Sequence, residues 1–481
     1  MSDSRFLILV LDGLRPDLVT REIMPNLSAF RDQAAVLENS RSQFPTHTRV
    51  NKTSLATGST PHHHGVHFNK IFDASVIDDQ LFDIGDYEQV ARLGRPEIVL
   101  APTIGAVLAP AGKRFALVHC GATGAPGLLN YKADVYGHEH LSLAGYEYST
   151  PLLAAKVEAA LGDMPSAAGI SPARSRFAFQ AFTDVIHPDL QPDVTVIWSD
   201  EPDKSLHVDG LGGPVSRTAL AHADALVGEA VAWWRAHEKE GYNLIILSDH
   251  GHIETSDAIS LDRMFAQSNL PVTTDPAKPG ALLLPWSSGG IYLRGQSEAV
   301  LADIVAWMQQ QPWCGHLFTS GDAATGPIPG TLSTSLVSVD HPRAPDLFFV
   351  LRRTDGDGVD KLYGNCLNAG DKGPAGSTHG GLHREELSTV TFAAGPDFRA
   401  NYRSQMVGGM IDIFPTLLHR FGIAQPETMV GRPLDITVDG VAPADALPAV
   451  EQFTAANGGY VQHLSVRRLA RRQVPEHAWL G

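Results

Sequence analysis

Short apolar runs alternate with longer amphipathic stretches along this chain. Phe6 to Leu11 is six apolar residues in a row with polar residues on either side, the pattern of a strand buried on both faces. Similar runs occur at Phe115 to Val118, Val194 to Trp198, Leu244 to Leu247, Leu347 to Leu351 and Val390 to Ala394. Between them the spacing turns helical, most clearly at Ser216 to His237 and Met410 to Phe421. Strands alternating with helices predict an α/β fold with a largely parallel central sheet flanked by helices. Ligands bind such sheets beyond the carboxyl ends of the strands.

Two stretches break the alternation. Phe72 to Pro110 is acidic and irregular, and the Pro-, Gly- and Ser-rich segment 253–342 reads as a small inserted cap. The expected organisation is a catalytic core from 1–252 and 343–435, the cap at 253–342, and a tail at 436–481 packed on the core or on a partner subunit. RRLARR, from Arg467 to Arg472, reads as a solvated helix face.

Composition narrows the partners. Lysine and arginine number 37 against 53 acidic residues, a formal charge of -16. This argues against a nucleic-acid polymer or an anionic membrane as partner. The three cysteines, Cys120, Cys314 and Cys366, have neither metal nor redox spacing. The apolar run at the amino end is too short for a signal peptide or a span, and a cytoplasmic location is the expectation. A homodimer is compatible with the tail.

The chemistry lies in separated fragments: LVLDGLRPD around Asp12, FPTHTRVN around Thr48, DKSLH from Asp203 to His207, SDHGH around Asp249 and His250, and THGGLH around His379. Together they supply three carboxylates, three imidazoles and a hydroxyl, the donor set of two divalent cations with open positions. Asp12, Asp203 and Asp249 each follow a predicted strand, so they fall at one sheet edge. Each fragment also has a plain structural reading. Asp12 and Thr48 could cap turns or helices, and Asp203 with His207 could be an i,i+4 surface pair. His62, His63 and His383 read as surface or supporting residues, and Asn51 as a turn-holder.

These fragments resemble the alkaline phosphatase superfamily, and within it the nucleotide pyrophosphatase/phosphodiesterase branch. Thr48-Arg-Val-Asn51 stands where that branch has T-x-P-N, nine residues before Thr57-Gly58 and followed by Pro61-His-His-His64-Gly65. Val50 replaces the usual proline. The resemblance implies an alkaline phosphatase-like core and Thr48, rather than Thr46, as the nucleophile. Asn69, twenty-one residues further on, is the implied donor to the phosphoryl oxygen. It also implies one metal on Asp12, Asp249, His250 and Thr48, and another on Asp203, His207 and His379. The mixed His/Asp donors point to zinc, with manganese as the alternative.

The implied activity is phosphodiester hydrolysis, possibly of nucleotide pyrophosphate bonds, through a phosphorylated Thr48. A phosphomonoesterase or a phosphonate C–P hydrolase on the same core is the alternative. Related monoesterases and phosphonate hydrolases carry a pair of cations where this chain has FALVHCGATGAPGLL, from Phe115 to Leu129. Two dications set against three carboxylates leave a net charge of about +1, which suits a small monoanionic diester. Arg49 stands where nucleotide-cleaving relatives have an aromatic.

Overall fold

Phe6, Ile8 and Val10 pack to one side of the first strand, Arg5–Leu11, while Leu7, Leu9 and Leu11 pack to the other. The same two-residue alternation divides Tyr242–Leu247, where Leu244 and Ile246 oppose Ile245 and Leu247. A strand apolar on both faces must lie inside a sheet with helices on each side. The computed structural model, which describes residues 4–73, 80–93, 98–166, 172–356, 363–369 and 376–481, has this architecture.

The eight strands of the central sheet run in the order Arg403–Gly408, Ala35–Ser40, Thr391–Ala394, Tyr242–Leu247, Arg5–Leu11, Val194–Ser199, Phe115–His119 and Glu139–Ser142. The last five of that order are mutually parallel, and Thr391–Ala394 is antiparallel to both its neighbours. The Pro214–His237 helix covers one face through Leu220, Leu226, Val227 and Trp234, at helical spacing. Proline at its first position and Arg235 and His237 in its last turn suit the two ends of that helix. The Thr48–Thr57 and Ile413–Phe421 helices cover the other face. Truncating a centrally buried side chain such as Ile8 to alanine would cost about 3 kcal/mol.

The inserted layer is larger than the sequence indicated. A six-stranded mixed sheet contains Ala281–Leu284, Ser288–Tyr292, Leu347–Leu351 and Cys314–Thr319 in adjacent positions. Leu347–Leu351 therefore belongs to this second sheet, not to the catalytic sheet, and the insertion runs past residue 342. An apolar run specifies burial but not which sheet buries it. The region from Phe72 to Pro110 holds short elements, including Phe82–Asp83 and the Ile104–Leu108 helix, while 74–79 and 94–97 lie outside the described residues.

The tail is not helical. Val450–Asn457, Tyr460–Leu469 and Arg472–Leu480 form an antiparallel sheet. Its Leu464, Val466 and Ala478 pack with Leu332 and Phe348 of the inserted sheet. Arg467 bonds Glu476 at 2.7 Å, and Arg472 makes a buried two-pronged pair with Asp412 at 2.6 and 2.7 Å. The two-residue alternation from Tyr460 to Leu469 outweighs the helix propensity of RRLARR. Among the described residues no helix is long and apolar enough to cross a membrane, and all three cysteines are free and buried.

Candidate active site

Three parallel strands end in register. Leu11 lies beside Ser199, and Val10 lies beside Leu247. The chain then leaves the sheet through Asp12, through Asp200 to Asp203, and through Asp249 and His250. The sequence-predicted carboxylates are thus neighbours because their strands are. Gly13 has φ +73, and a Cβ there would lie 2.7 Å from His252 Nε2 and 3.0 Å from Asp203 Cβ. Only glycine lets these loops close together.

Asp203 opens the Asp203–Asp209 helix, so His207 follows one turn later on the same face, 3.4 Å from Asp203 Oδ1. His379 arrives by a different route. Ser377–Thr378 pairs antiparallel with Ile253–Ala258, which carries His379 alongside the His250 segment. His379 Nε2 lies 3.5 Å from Asp203 Oδ1, and its ring stacks on that of His250 with centroids 3.7 Å apart. Thr48 is the first residue of the Thr48–Thr57 helix, and its Oγ1 lies 3.1 Å from His250 Nε2. That ring nitrogen is also 3.4 Å from Asp12 Oδ1 and 3.3 Å from Asp249 Oδ2.

The far sides of these rings determine what the near sides are. His379 Nδ1–H donates to the Thr46 carbonyl at 2.7 Å, His207 Nδ1–H to the Ser377 carbonyl at 2.7 Å, and His250 Nδ1–H to the Gly251 carbonyl at 3.1 Å. A carbonyl accepts only, so in the neutral ring each Nε2 turns a lone pair toward a carboxylate. Burial holds His379 well below the usual imidazole range, with His250 adding to the effect. Burial also raises the Asp12 carboxyl, and the charges of Asp249 and Asp203 push it further the same way. Asp12 Oδ1 and Asp249 Oδ2 are buried without a hydrogen-bond partner, whereas their sister oxygens accept from Trp198 Nε1–H at 2.8 Å and the Gly13 N–H at 3.0 Å. Lone pairs facing buried carboxylates need cations between them. The donors fall into two overlapping groups, Asp203, His207, His252 and His379, and Asp12, Asp203 and His250. Their chemistry fits divalent metal ions.

Asn69 is drawn toward the residue that follows Thr48, because Arg49 Nη1 donates to the Asn69 carbonyl at 2.6 Å. Arg49 also pairs with Asp83, so its charge is already matched. Thr46 is held differently from Thr48. Its hydroxyl donates to the Gly381 carbonyl at 3.1 Å and accepts from the Gly380 N–H at 2.8 Å, locking the turn that carries His379. Asn51 holds the preceding loop through Gln43 and His47. His62 is exposed and His63 half-buried. His383 is not a surface residue. It is buried and caps the Arg384–Leu387 helix, accepting from the Glu385 N–H at 3.2 Å.

Two further side chains at the candidate site carry little signal in the sequence. His252 Nε2 is 2.9 Å from Asp203 Oδ1, and its Nδ1 is 3.0 Å from Ser377 Oγ. The only signal was the second histidine of SDHGH. Lys52 lies one turn beyond Thr48 in the same helix and is fully buried. Its Nζ is 2.7 Å from His119 Nε2 and 4.3 Å from the centre of the Trp198 ring that donates to Asp12. Burial depresses this amine to about 8. A lysine among small and apolar neighbours was the available sign.

A central parallel sheet that gathers this donor set at its carboxyl edge has the makings of a metal-dependent enzyme of the α/β class. Residues 6–353 match the family model for type I phosphodiesterase / nucleotide pyrophosphatase. The chain belongs to that family, within the alkaline phosphatase superfamily, and is a phosphoric diester hydrolase. Murine ectonucleotide pyrophosphatase / phosphodiesterase 5 shares the fold, with a TM-score of 0.63 at 17% identity over 90% of this chain and 100% of that one. An inactive form of the same murine protein in complex with AMP superposes at 0.62 and 16% identity, over 90% of this chain and 100% of that one. A bis(5'-adenosyl)-triphosphatase from Xenopus laevis is 35% identical over 85 residues, which span 18% of each chain. The murine relatives are named as ecto-enzymes, so the comparisons lend no support to a cytoplasmic location for this chain.

Proposed function

We propose that this chain cleaves monoanionic phosphodiesters bearing an aromatic leaving group or substituent, through a covalent intermediate on Thr48 assisted by two divalent metal ions. The observation that carries the reading is Thr48 Oγ1 at a helix amino terminus, 3.1 Å from His250 Nε2, beside two donor groups that share Asp203. Asp12, Asp249, His250 and Thr48 would hold one ion, and Asp203, His207 and His379 the other, with zinc favoured by the imidazoles. When bound, the ions supply Lewis acidity that lowers the pKa of a hydroxyl and offsets charge on phosphorus.

The residues of the chain do the rest. Thr48 Oγ attacks phosphorus, the P–O bond to the leaving group breaks, and the threonine proton ends on the departing alcohol. Water then hydrolyses the Thr48 phosphodiester, restoring the hydroxyl and releasing a phosphomonoester. The helix amino terminus at Thr48 presents free N–H groups and a favourable dipole to the phosphoryl oxygens, and Asn69 supplies a further donor.

The arginine beside Thr48 supports a substrate of single charge. Arg49 is matched by Asp83, while Arg174 and Lys204 share the one carboxylate of Asp200. Arg49 therefore offers no spare charge for the second negative charge of a phosphomonoester. The aromatic preference rests on the partly exposed Trp286, backed by the buried rings of His47 and Phe68, with ring centroids 5.8 to 6.2 Å apart. This wall adjoins the nucleophile through His47 and the second metal group through His379, 5.8 Å from His47. An adenosyl group would suit it, in keeping with the substrate in the Xenopus relative's name.

The test is kcat/KM for an aryl methyl phosphate against the aryl phosphate with the same leaving group, in zinc-loaded protein. The diester should be preferred by roughly a hundredfold, since one missing charged contact is worth about 3 kcal/mol. Preference for the monoester would replace this reading with phosphomonoesterase.

A further inference from the structure

At the opposite edge of the central sheet, three side chains outside the catalytic centre converge. His187 lies in the π-helical segment Phe182–Leu190, His237 ends the Pro214–His237 helix, and Glu240 closes the short turn Glu238–Glu240 before Tyr242. Their donor atoms lie within 4.8 Å of one another. Tyr242 pairs with Arg5 at the amino ends of their strands, whereas Asp12 and Asp249 follow the carboxyl ends. About 20 Å of strand separates the two places.

We propose that His187, His237 and Glu240 form a separate binding site for a divalent transition metal such as zinc, which clips the Phe182–Leu190 segment to the turn that enters the Tyr242–Leu247 strand. The rings are set for it. His237 Nδ1–H donates to the Trp233 carbonyl at 2.7 Å, which fixes the tautomer and leaves Nε2 with its lone pair. His187 Nδ1 lies 2.9 Å from the Tyr242 hydroxyl oxygen, which can accept from Nδ1–H; in that tautomer Nε2 keeps its lone pair for a metal. Such anchoring of the remote nitrogen is the usual second partner of a metal-bound histidine. Trp233 fixes both rings, stacking on His237 at 4.2 Å and meeting His187 edge-on at 5.1 Å.

Donor chemistry selects the class of ion. Two imidazoles and one carboxylate suit zinc, nickel or copper and not magnesium or calcium, which want oxygen. Ligands of a tetrahedral zinc stand about 3.4 Å apart with bonds of about 2.1 Å. Glu240 is exposed and free to make the small closing movement, and solvent completes the shell. A neighbouring cation is Arg5, whose guanidinium sits 5.5 Å from the Tyr242 ring. It sets one positive charge against the single negative charge of Glu240, so the two neutral imidazoles would carry most of the affinity.

The test counts ions in the full chain. Parent protein and the His187→Gln/His237→Gln variant are equilibrated with zinc against a weak chelator, then analysed for zinc per chain. The variant should hold one ion fewer and keep its diesterase kcat/KM within about twofold. An Asp12→Ala/Asp203→Ala protein, disabled at the catalytic centre, should still take up an ion that disappears when His187→Gln is added. This arm is independent of whether the chain cleaves diesters. Glu240→Gln, an exposed change that leaves the fold intact, should weaken the same uptake by at least roughly tenfold. Equal zinc content and affinity in parent, His187→Gln/His237→Gln and Glu240→Gln proteins would overturn the proposal.

Discussion

His250 and His379, 129 residues apart in sequence, stack with ring centroids 3.7 Å apart and planes inclined by 13°. Two imidazolium rings could not share that spacing in a buried site without strong repulsion, and burial keeps His379 neutral. The stack joins the two donor groups, and Asp203 belongs to both of them. The candidate site is thus one continuous cluster whose two donor groups are not equivalent.

Metal content should follow that inequality. On the proposed assignment, Asp249→Ala removes a ligand of the ion held with Asp12 and His250, and His207→Ala a ligand of the ion held with His379. Each should leave about one catalytic ion and lower affinity for the other at least roughly tenfold. Asp203→Ala, which touches both groups, should weaken both ions. Elemental analysis after dialysis distinguishes these outcomes. Equal loss in all three variants would mean that Asp203 has no shared role.

Thr48 and Thr46 should separate cleanly. The Thr48 hydroxyl faces His250, whereas the Thr46 hydroxyl is already engaged with Gly380 and Gly381. Thr48→Ala should abolish turnover, and no phosphorylated threonine should be trapped by acid quench and mass spectrometry. Thr46→Ala should cost about 1 kcal/mol of stability and less than tenfold in kcat. If Thr46→Ala proved the more damaging to kcat, the nucleophile would be misassigned.

Much of the candidate site is legible because it hangs on strand ends. Asp12, Asp203, Asp249 and His250 follow apolar runs that can only be buried strands, and parallel strands in register bring their ends together. His379 was found by its fragment's resemblance, since nothing local predicts the pairing of Ser377–Thr378 with Ile253–Ala258. His252 and Lys52 were missed because their partners, Asp203 and His119, meet them only through tertiary packing. The Leu347–Leu351 run joins the inserted sheet through tertiary packing of the same kind, which its apolar pattern does not specify. The tail failed differently. Its two-residue alternation from Tyr460 was present in the sequence, but the arginines around it read as helical surface.

Trp286 should affect affinity more than chemistry. It lies between two strands of the inserted sheet, 5.8 Å from Phe68 and 6.2 Å from His47 by ring centroids. Trp286→Ala should raise KM for a bis-aryl phosphate about fivefold, the worth of about 1 kcal/mol of aromatic contact, with kcat little changed. KM for a dialkyl substrate should stay the same. An equal rise for both would assign Trp286 to packing of the inserted sheet.

Acid should destabilise the folded chain through its buried neutral histidines. His316 lies on Cys314–Thr319, where its Nε2–H donates to the Trp479 carbonyl at 3.1 Å across the interface with the tail sheet. Burial lowers it to about 4, and burial likewise lowers His67 to about 3. The unfolded chain protonates these rings near 6.5, so between that value and the folded one the unfolded state binds more protons. Stability is therefore full above about pH 6.5 and falls as the pH drops toward 4. His316 alone accounts for up to about 3 kcal/mol of that fall. Denaturant melts at pH 7.5 and pH 4.5 measure it. His316→Gln should be less stable than the parent at pH 7.5, having exchanged a fitted ring for an amide, yet should lose less on going to pH 4.5. Comparing parent with variant cancels any loss of catalytic metal, which acid causes in both. An identical pH dependence in the two proteins would show that His316 binds its proton equally in the folded and the unfolded chain, and that burial does not depress it.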